Sequence, residues 1–189
     1  MKFRLLLPMM LALLCCACVT HIRPTVAGNP PPAEPLSHFQ HFMLQPVKAS
    51  DAAAHEADAV AKISTYMQQR VGGRLATWEN RNQSGRVLDI EPYIVQLKFV
   101  SGGARFFAGA LAGSSAVLMR VKFVDAQTGR VIADPEFYQR AAAYGGAWSI
   151  GGTDNGMLAR IATVVQQYLD RNYGQAVGGP TGLDGTEPD

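Results

Sequence analysis

The three cysteines of this 189-residue chain, Cys15, Cys16 and Cys18, stand within four positions of one another, and none follows them. Beyond residue 18 there is therefore no thiol for a disulfide, a thiolate metal site or redox chemistry. Whatever folds there holds by its apolar core alone. The cysteines close an apolar run, residues 5–14, that is preceded by Lys2 and Arg4. About ten apolar residues cannot span a bilayer, which takes about twenty. The run fits the h-region of a secretory signal peptide, with the small Ala17 before a cleavage point.

Residues 15–18, Cys-Cys-Ala-Cys, resemble the lipobox of bacterial lipoproteins, in which the peptide is cut before a cysteine that then receives acyl chains. Ala17 selects Cys18 as the lipidation site. Cys15 takes the place of the usual leucine three positions earlier, so Cys15 and Cys16 stay open as alternatives. Two or more acyl chains give stable attachment where one gives only marginal binding. Val19, rather than aspartate, follows Cys18. By the rules of this family of signals that implies sorting to the outer membrane, with the domain facing the periplasm.

Of the 17 basic side chains two, Lys2 and Arg4, leave with residues 1–17, so 15 stand against 15 acidic ones, a formal net charge of zero. Nucleic-acid binding needs a clustered basic face, so no nucleic acid is expected as a partner. The remaining chain of roughly 170 residues suffices for one domain with a proper interior.

Residues 18–36 carry Pro30, Pro31 and Pro32 and read as an extended, lipid-anchored tether. Residues 37–46 read as a first strand containing His38 and His41. Residues three apart face opposite sides of a strand, so a shared metal would need a bend, and no metal or other cofactor is expected. Ser50 is an N-cap candidate. Val60, Ile63, Met67, Val71, Leu75 and Trp78 then recur at helical spacing,. Gly72 and Gly73 either end this helix near Val71 or lie inside it, and the persistence of the stripe favours continuation.

In residues 87–100 the apolar positions shift from Leu88 and Ile90 to Tyr93, Val95, Leu97 and Phe99. That parity change predicts a bulge or bend around Glu91 and Pro92, with Asp89, Glu91, Gln96 and Lys98 outward. Val117, Met119, Val121 and Phe123 mark the clearest strand, which Asp125-Ala-Gln-Thr-Gly129 turns into a partner strand over residues 130–143. In that strand Pro135 is either a bulge or an edge position. Thr153 or Asp154 is the expected cap of a last helix striped by Met157, Leu158, Ile161, Val164, Val165, Tyr168 and Leu169. Residues 175–189 show no periodicity and are expected to be disordered.

Two glycine-rich stretches interrupt this pattern. Residues 101–115, SGGARFFAGALAGSS, lack the lysine of a phosphate-binding loop and the G-x-G-x-x-G pattern,. Residues 144–153 read YGGAWSIGGT. Both are expected as loops, and Arg105, Phe106, Phe107 and Trp148 are the candidate partner-binding residues.

Gly102-Gly103-Ala-Arg105-Phe106-Phe107, Gly109-x-x-x-Gly113, the strand at 117–123, the turn at 125–129 and a glycine-rich lead into the last helix resemble a family of bacterial envelope lipoproteins of unknown function. The order β-α-β-β-β-α is similar to the amino-terminal domain of TolB and to envelope-assembly lipoproteins. The resemblance implies binding of protein partners or ring assembly, and it brings no catalytic residue. The expected fold is α+β, with two helices on one face of a mostly antiparallel sheet in a single domain over residues 37–174.

These features point to a non-enzymatic binding or assembly module, tied to the membrane by its anchor, with an envelope protein or further copies of itself as partner. A ligand-binding reading places a glycan or small envelope metabolite between the loops, against Phe106, Phe107, Tyr144 and Trp148. An enzymatic reading would need His38, His41 and Asp134 brought together, since no G-x-S-x-G nucleophile pattern occurs.

Overall fold

The structure, a computed structural model, describes residues 22–79, 85–99, 114–141 and 152–183. In chain order these form β1 (Gly28–Asn29), β2 (His41–Leu44), β3 (Lys48–Ala49), α1 (Asp51–Ala54), α2 (Ala57–Met67), a π-helical turn (Gln68–Gly72) and α3 (Gly73–Trp78). Then come β4 (Val87–Lys98), β5 (Ala116–Asp125), β6 (Val131–Ala133), β7 (Glu136–Arg140), α4 (Gly152–Asn172) and β8 (Gly179–Pro180). The six-stranded sheet runs β2-β4-β5-β6, with β3 also on β4 and β7 also on β5. Only β2 and β3 run parallel to their neighbour; the remaining pairs are antiparallel. This is the α+β architecture expected, in approximately the order expected: the first strand is confined to β2, with His38 in a 3-10 turn (Leu36–His38) before it, the partner strand is split into β6 and β7, and β1, β3 and β8 are additional.

The helical rod continues through both glycines. Ile63, Met67, Val71 and Leu75 are buried along one face of it, at spacings of four. A buried side chain of this size contributes roughly 1.5–3 kcal/mol, whereas each helical glycine costs about 1 kcal/mol. Burial wins, and one π-helical turn, Gln68–Gly72, leads into the glycine pair,. Leu158, Ile161, Val165 and Leu169 of α4 bury in the same core, above Leu88, Ile90, Val117, Met119, Val121, Phe123 and Phe137 of the sheet. Tyr168 meets Phe137 edge-on, with ring centroids 5.7 Å apart. At the far end Trp78 stacks on Tyr173 at 4.2 Å, and Arg74 pairs with Asp170 at 2.6 Å, tying the rod to the last helix within one layer. The last helix begins at Gly152, so Thr153 and Asp154 lie in its first turn rather than before it.

Strand β4 departs from the expected bend. Even positions stay inward through Leu88, Ile90, Pro92 and Ile94, and Tyr93 points out. The register slips between Ile94 and Gln96, so the bulge residue is Val95, three positions beyond the expected place. Pro92 needs no bulge because of where its missing donor falls. The Val121 N–H opposite it donates away from β4, to Pro135 O. The nitrogen of Pro92 therefore faces the other edge, at the gap between β2, which ends opposite Ile90, and β3, which starts opposite Tyr93,. The Ser50 hydroxyl ties the bulge down: it donates to Val95 O at 2.8 Å and accepts from Ala53 N at 3.3 Å as the N-cap of α1,.

The described parts of both terminal segments, residues 22–36 and 175–183, are packed, where an extended tether and a disordered tail were expected. Residues 22–36 run along the β7–β6 edge, and residues 175–183 return beside them, β1 pairing with β8. Asn29 stands in for a strand residue: its Nδ2 donates to Glu136 O at 2.7 Å and its Oδ1 accepts from Glu136 N at 2.8 Å. The Tyr138 N–H donates to Thr181 O at 2.7 Å, and Ala33 N–H to Ile132 O at 2.8 Å. Buried Asn172 organises the return, its Oδ1 accepting from Val177 N and Gly178 N and its Nδ2 donating to Tyr168 O. Together the termini cover a sheet edge that would otherwise offer unpaired backbone groups.

Candidate functional site

Two ends of the sheet differ in what they carry. At one end Lys98 of β4 faces Ala116 of β5, Ala116 faces Arg140 of β7, and the Ala141 N–H donates to Ser115 O at 2.9 Å. The segments 100–113 and 142–151 both spring from this end. Arg160 of α4 closes onto it, with Nη2 donating to Arg140 O and Nε to Gln139 Oε1, each at 3.1 Å. On the face opposite the described helices Ile22, Ala116, Leu118 and Tyr138 form a second small apolar cluster with Val95. Burial pushes the Tyr138 phenol up, and the positive charges of Arg140 and Arg23 pull it back.

The opposite end holds an ionic cluster. Arg86, at the start of β4, donates through Nη1 and Nη2 to Glu34 at 2.7 and 3.0 Å, and through Nε and Nη2 to Asp125 Oδ2 at 3.1 and 2.6 Å. Its guanidinium carbon lies 4.2 Å from the centre of the Phe39 ring,. Arg130 also donates to Glu34, and His38 Nδ1 lies 3.0 Å from it. The Arg86 hydrogen bond, opposed by burial and helped by His38, holds the Glu34 carboxyl down at about 2. Arg86 lowers Asp125 in the same way, and the two carboxylates raise Arg86. Asp125 further accepts from Gln127 N and Thr128 N, and Gly129 takes φ +69°, which is the turn read from the sequence,.

A third feature is a groove of about 420 Å³ between edge strand β2 and the rod, lined by Phe42, Leu44, Gln68, Gly72, Leu75, Ala76 and Glu79. Glu79 crosses it to accept from Phe42 N at 3.2 Å and to meet His41 Nδ1 at 2.7 Å.

His38 and His41 thus engage different carboxylates, Glu34 and Glu79, and Asp134 is paired with Arg120 on the sheet. The structure does not assemble the three into one site. Among the described residues no group of three or more His, Cys, Asp or Glu side chains is placed to hold a metal ion, and no helix is long and apolar enough to cross a membrane. Cys18, Arg105, Phe106, Phe107, Tyr144 and Trp148 lie outside the described residues. The Glu34–Arg86 pair was not singled out in the sequence. Its signal is a lone acid in a proline-rich stretch, where a solvated tether has no use for a particular charge.

No model of a protein family and no curated protein matches the sequence. Solved structures similar to this chain include the PelC dodecamer from Paraburkholderia phytofirmans, at TM-score 0.44 and 12% identity over 72% of this chain and 93% of that one. Protein CT253 from Chlamydia trachomatis is similar at TM-score 0.43 and 14% identity, over 71% and 99%. Protein XCC0632 from Xanthomonas campestris is similar at TM-score 0.39 and 12% identity, over 78% and 92%. At that level of likeness the assemblies and partners of those proteins remain theirs.

Proposed function

We propose that this chain is a lipid-anchored, non-enzymatic binding or assembly module of a bacterial cell envelope, acylated at Cys18 and facing the periplasm from the outer membrane. The observation that carries the reading is the convergence of three chain ends, residues 99, 114 and 141, at one end of the sheet, where Lys98, Ala116 and Arg140 lie in register on neighbouring strands. The segments that hold Arg105, Phe106, Phe107 and Trp148 are rooted there side by side, as a contact surface for an envelope protein or a second copy requires. The ionisable groups gathered elsewhere tie one segment of the fold to another, which is the use a scaffold makes of charge.

The test is photo-crosslinking in cells from positions 105 and 148, combined with fractionation of a Cys18→Ser variant. Discrete products from both positions and release of the variant from the membrane are the expected results. Recovery of no specific partner, or membrane pelleting unchanged in the variant, refutes the reading. The same convergence serves the second reading, a glycan or small metabolite held against Phe106, Phe107, Tyr144 and Trp148. A saturable change in Trp148 fluorescence on titrating cell-wall fragments into a Trp78→Phe background would favour it.

A further inference from the structure

The N-terminal segment is fixed to the fold from its first described residue. Ile22 is only 7% exposed, packed against Ala116, Leu118 and Tyr138 on the sheet face opposite the described helices. Three positions on, Thr25 donates to Glu136 Oε2 through both its N–H, at 2.7 Å, and its hydroxyl, at 2.8 Å. The segment then follows the sheet edge to its other end, where Glu34 meets Arg86.

Ile22 lies four positions beyond Cys18, and four extended steps reach at most about 14 Å. The headgroup layer of a leaflet is roughly 6 Å deep, half the difference between a whole bilayer and its hydrocarbon core. An acylated Cys18 stands at the inner boundary of that layer. Ile22 is then held within about 8 Å of the outer face of the headgroups, whatever path residues 18–21 take. Acylation at Cys15 would lengthen the reach only to about 25 Å.

What surrounds Ile22 suits that position. Arg23 and Arg140 are exposed and close enough to act on the Tyr138 phenol. Val26 and Leu183 are exposed beside the β1–β8 pair on the same edge. Guanidinium groups among apolar side chains match phosphate headgroups over acyl chains. The geometry points to the Ile22 end of the sheet face opposite the described helices as a membrane-seated surface, resting on phospholipid headgroups with those helices turned away. The inference rests on the proposed acylation of Cys18. It also places any partner of the loop end at the bilayer surface.

The experiment uses the full-length acylated chain, its modified residue verified by mass spectrometry, in phosphatidylethanolamine–phosphatidylglycerol vesicles. With Cys18 acylated, a cysteine introduced at Lys98 or Ala126 is the one free thiol and carries a fluorophore. Position 98 lies at the Ile22 end; position 126 lies roughly 25 Å from Leu118 along β5. Quenching by headgroup-labelled lipid is expected to be at least about threefold greater at 98 than at 126, by the distances above. An insert of about twenty Gly and Ser residues after Thr20, with an r.m.s. span of roughly 25 Å, should abolish the difference without changing flotation. Arg23→Glu with Arg140→Glu should reduce it. Equal quenching at both positions in a chain that floats with the vesicles overturns the seated surface and leaves the anchor standing. Self-quenching of the label at 98 without lipid quenching assigns the face to a second copy and likewise overturns it. A chain that does not float overturns the anchor itself.

Discussion

Arg86 reaches Asp125 Oδ2 from both Nε and Nη2, and the same guanidinium grips Glu34 with its two outer nitrogens. One side chain thereby joins the start of β4, the end of β5 and the N-terminal segment. Arg86→Met leaves Asp125, which is 2% exposed, and Glu34 without their shared cation,. Because Arg86 is itself about one-third exposed, solvent softens the loss. A fall in Tm on the order of 5 °C is expected, read by calorimetry. Arg86→Lys should recover only part of it, since an ammonium cannot form both bidentate contacts.

Stability should fall with acid in a particular window. The Glu34 carboxyl titrates near 2 in the fold against 4.5 unfolded, so its contribution is complete above about 4.5 and is lost as pH drops toward 2,. Asp125 is shifted in the same direction. Glu34→Gln should lower stability at neutral pH and flatten the stability–pH curve between those values. A Glu34→Gln profile as steep as that of the parent chain, measured by urea unfolding from pH 2 to 7, would contradict the assignment.

Two glycines should respond in opposite directions to alanine. Gly178 has φ +75°, and an added Cβ would lie 2.3 Å from Asn29 O, so Gly178→Ala strains the closure of the termini by roughly 1–3 kcal/mol,. Gly73 is helical, with φ −60° and nothing within 4 Å of an added Cβ. Gly73→Ala should stabilise by about 0.5–1 kcal/mol. Denaturant midpoints of the two variants test both signs.

Removing residues 175–189 should not be silent. The truncation deletes the Thr181 carbonyl that receives Tyr138 N–H and the amides that satisfy buried Asn172. It also strips the cover from the β7 edge. A lower Tm and concentration-dependent self-association, followed by light scattering, are expected. An unchanged Tm would mean that the tail is as dispensable as its composition suggests.

Periodicity made the helices legible, because a rod that buries one face must repeat its apolar residues near every fourth position, and the stripe from Ile63 to Leu75 does so across two glycines. The Asp125–Gly129 turn was equally readable, since its hydrogen bonds close within five residues. The bulge was misplaced. Proline and a parity change suggested Glu91–Pro92, but the ladder with β5 and the gap between β2 and β3 decided for Val95.

From its sequence alone this chain determined its two helical stripes, its central strands, its hairpin and the run of cysteines behind a short apolar segment, all of which are local patterns. Tertiary structure decided the rest: the packing of a proline-rich segment and a glycine-rich tail along one sheet edge, and the joining of Glu34 to Arg86 across 52 residues. The reason is that a proline or glycine run states only which backbone angles it allows. Whether its carbonyls and amides stay in water or pair with β6 and β7 depends on an edge that exists only once the sheet has formed.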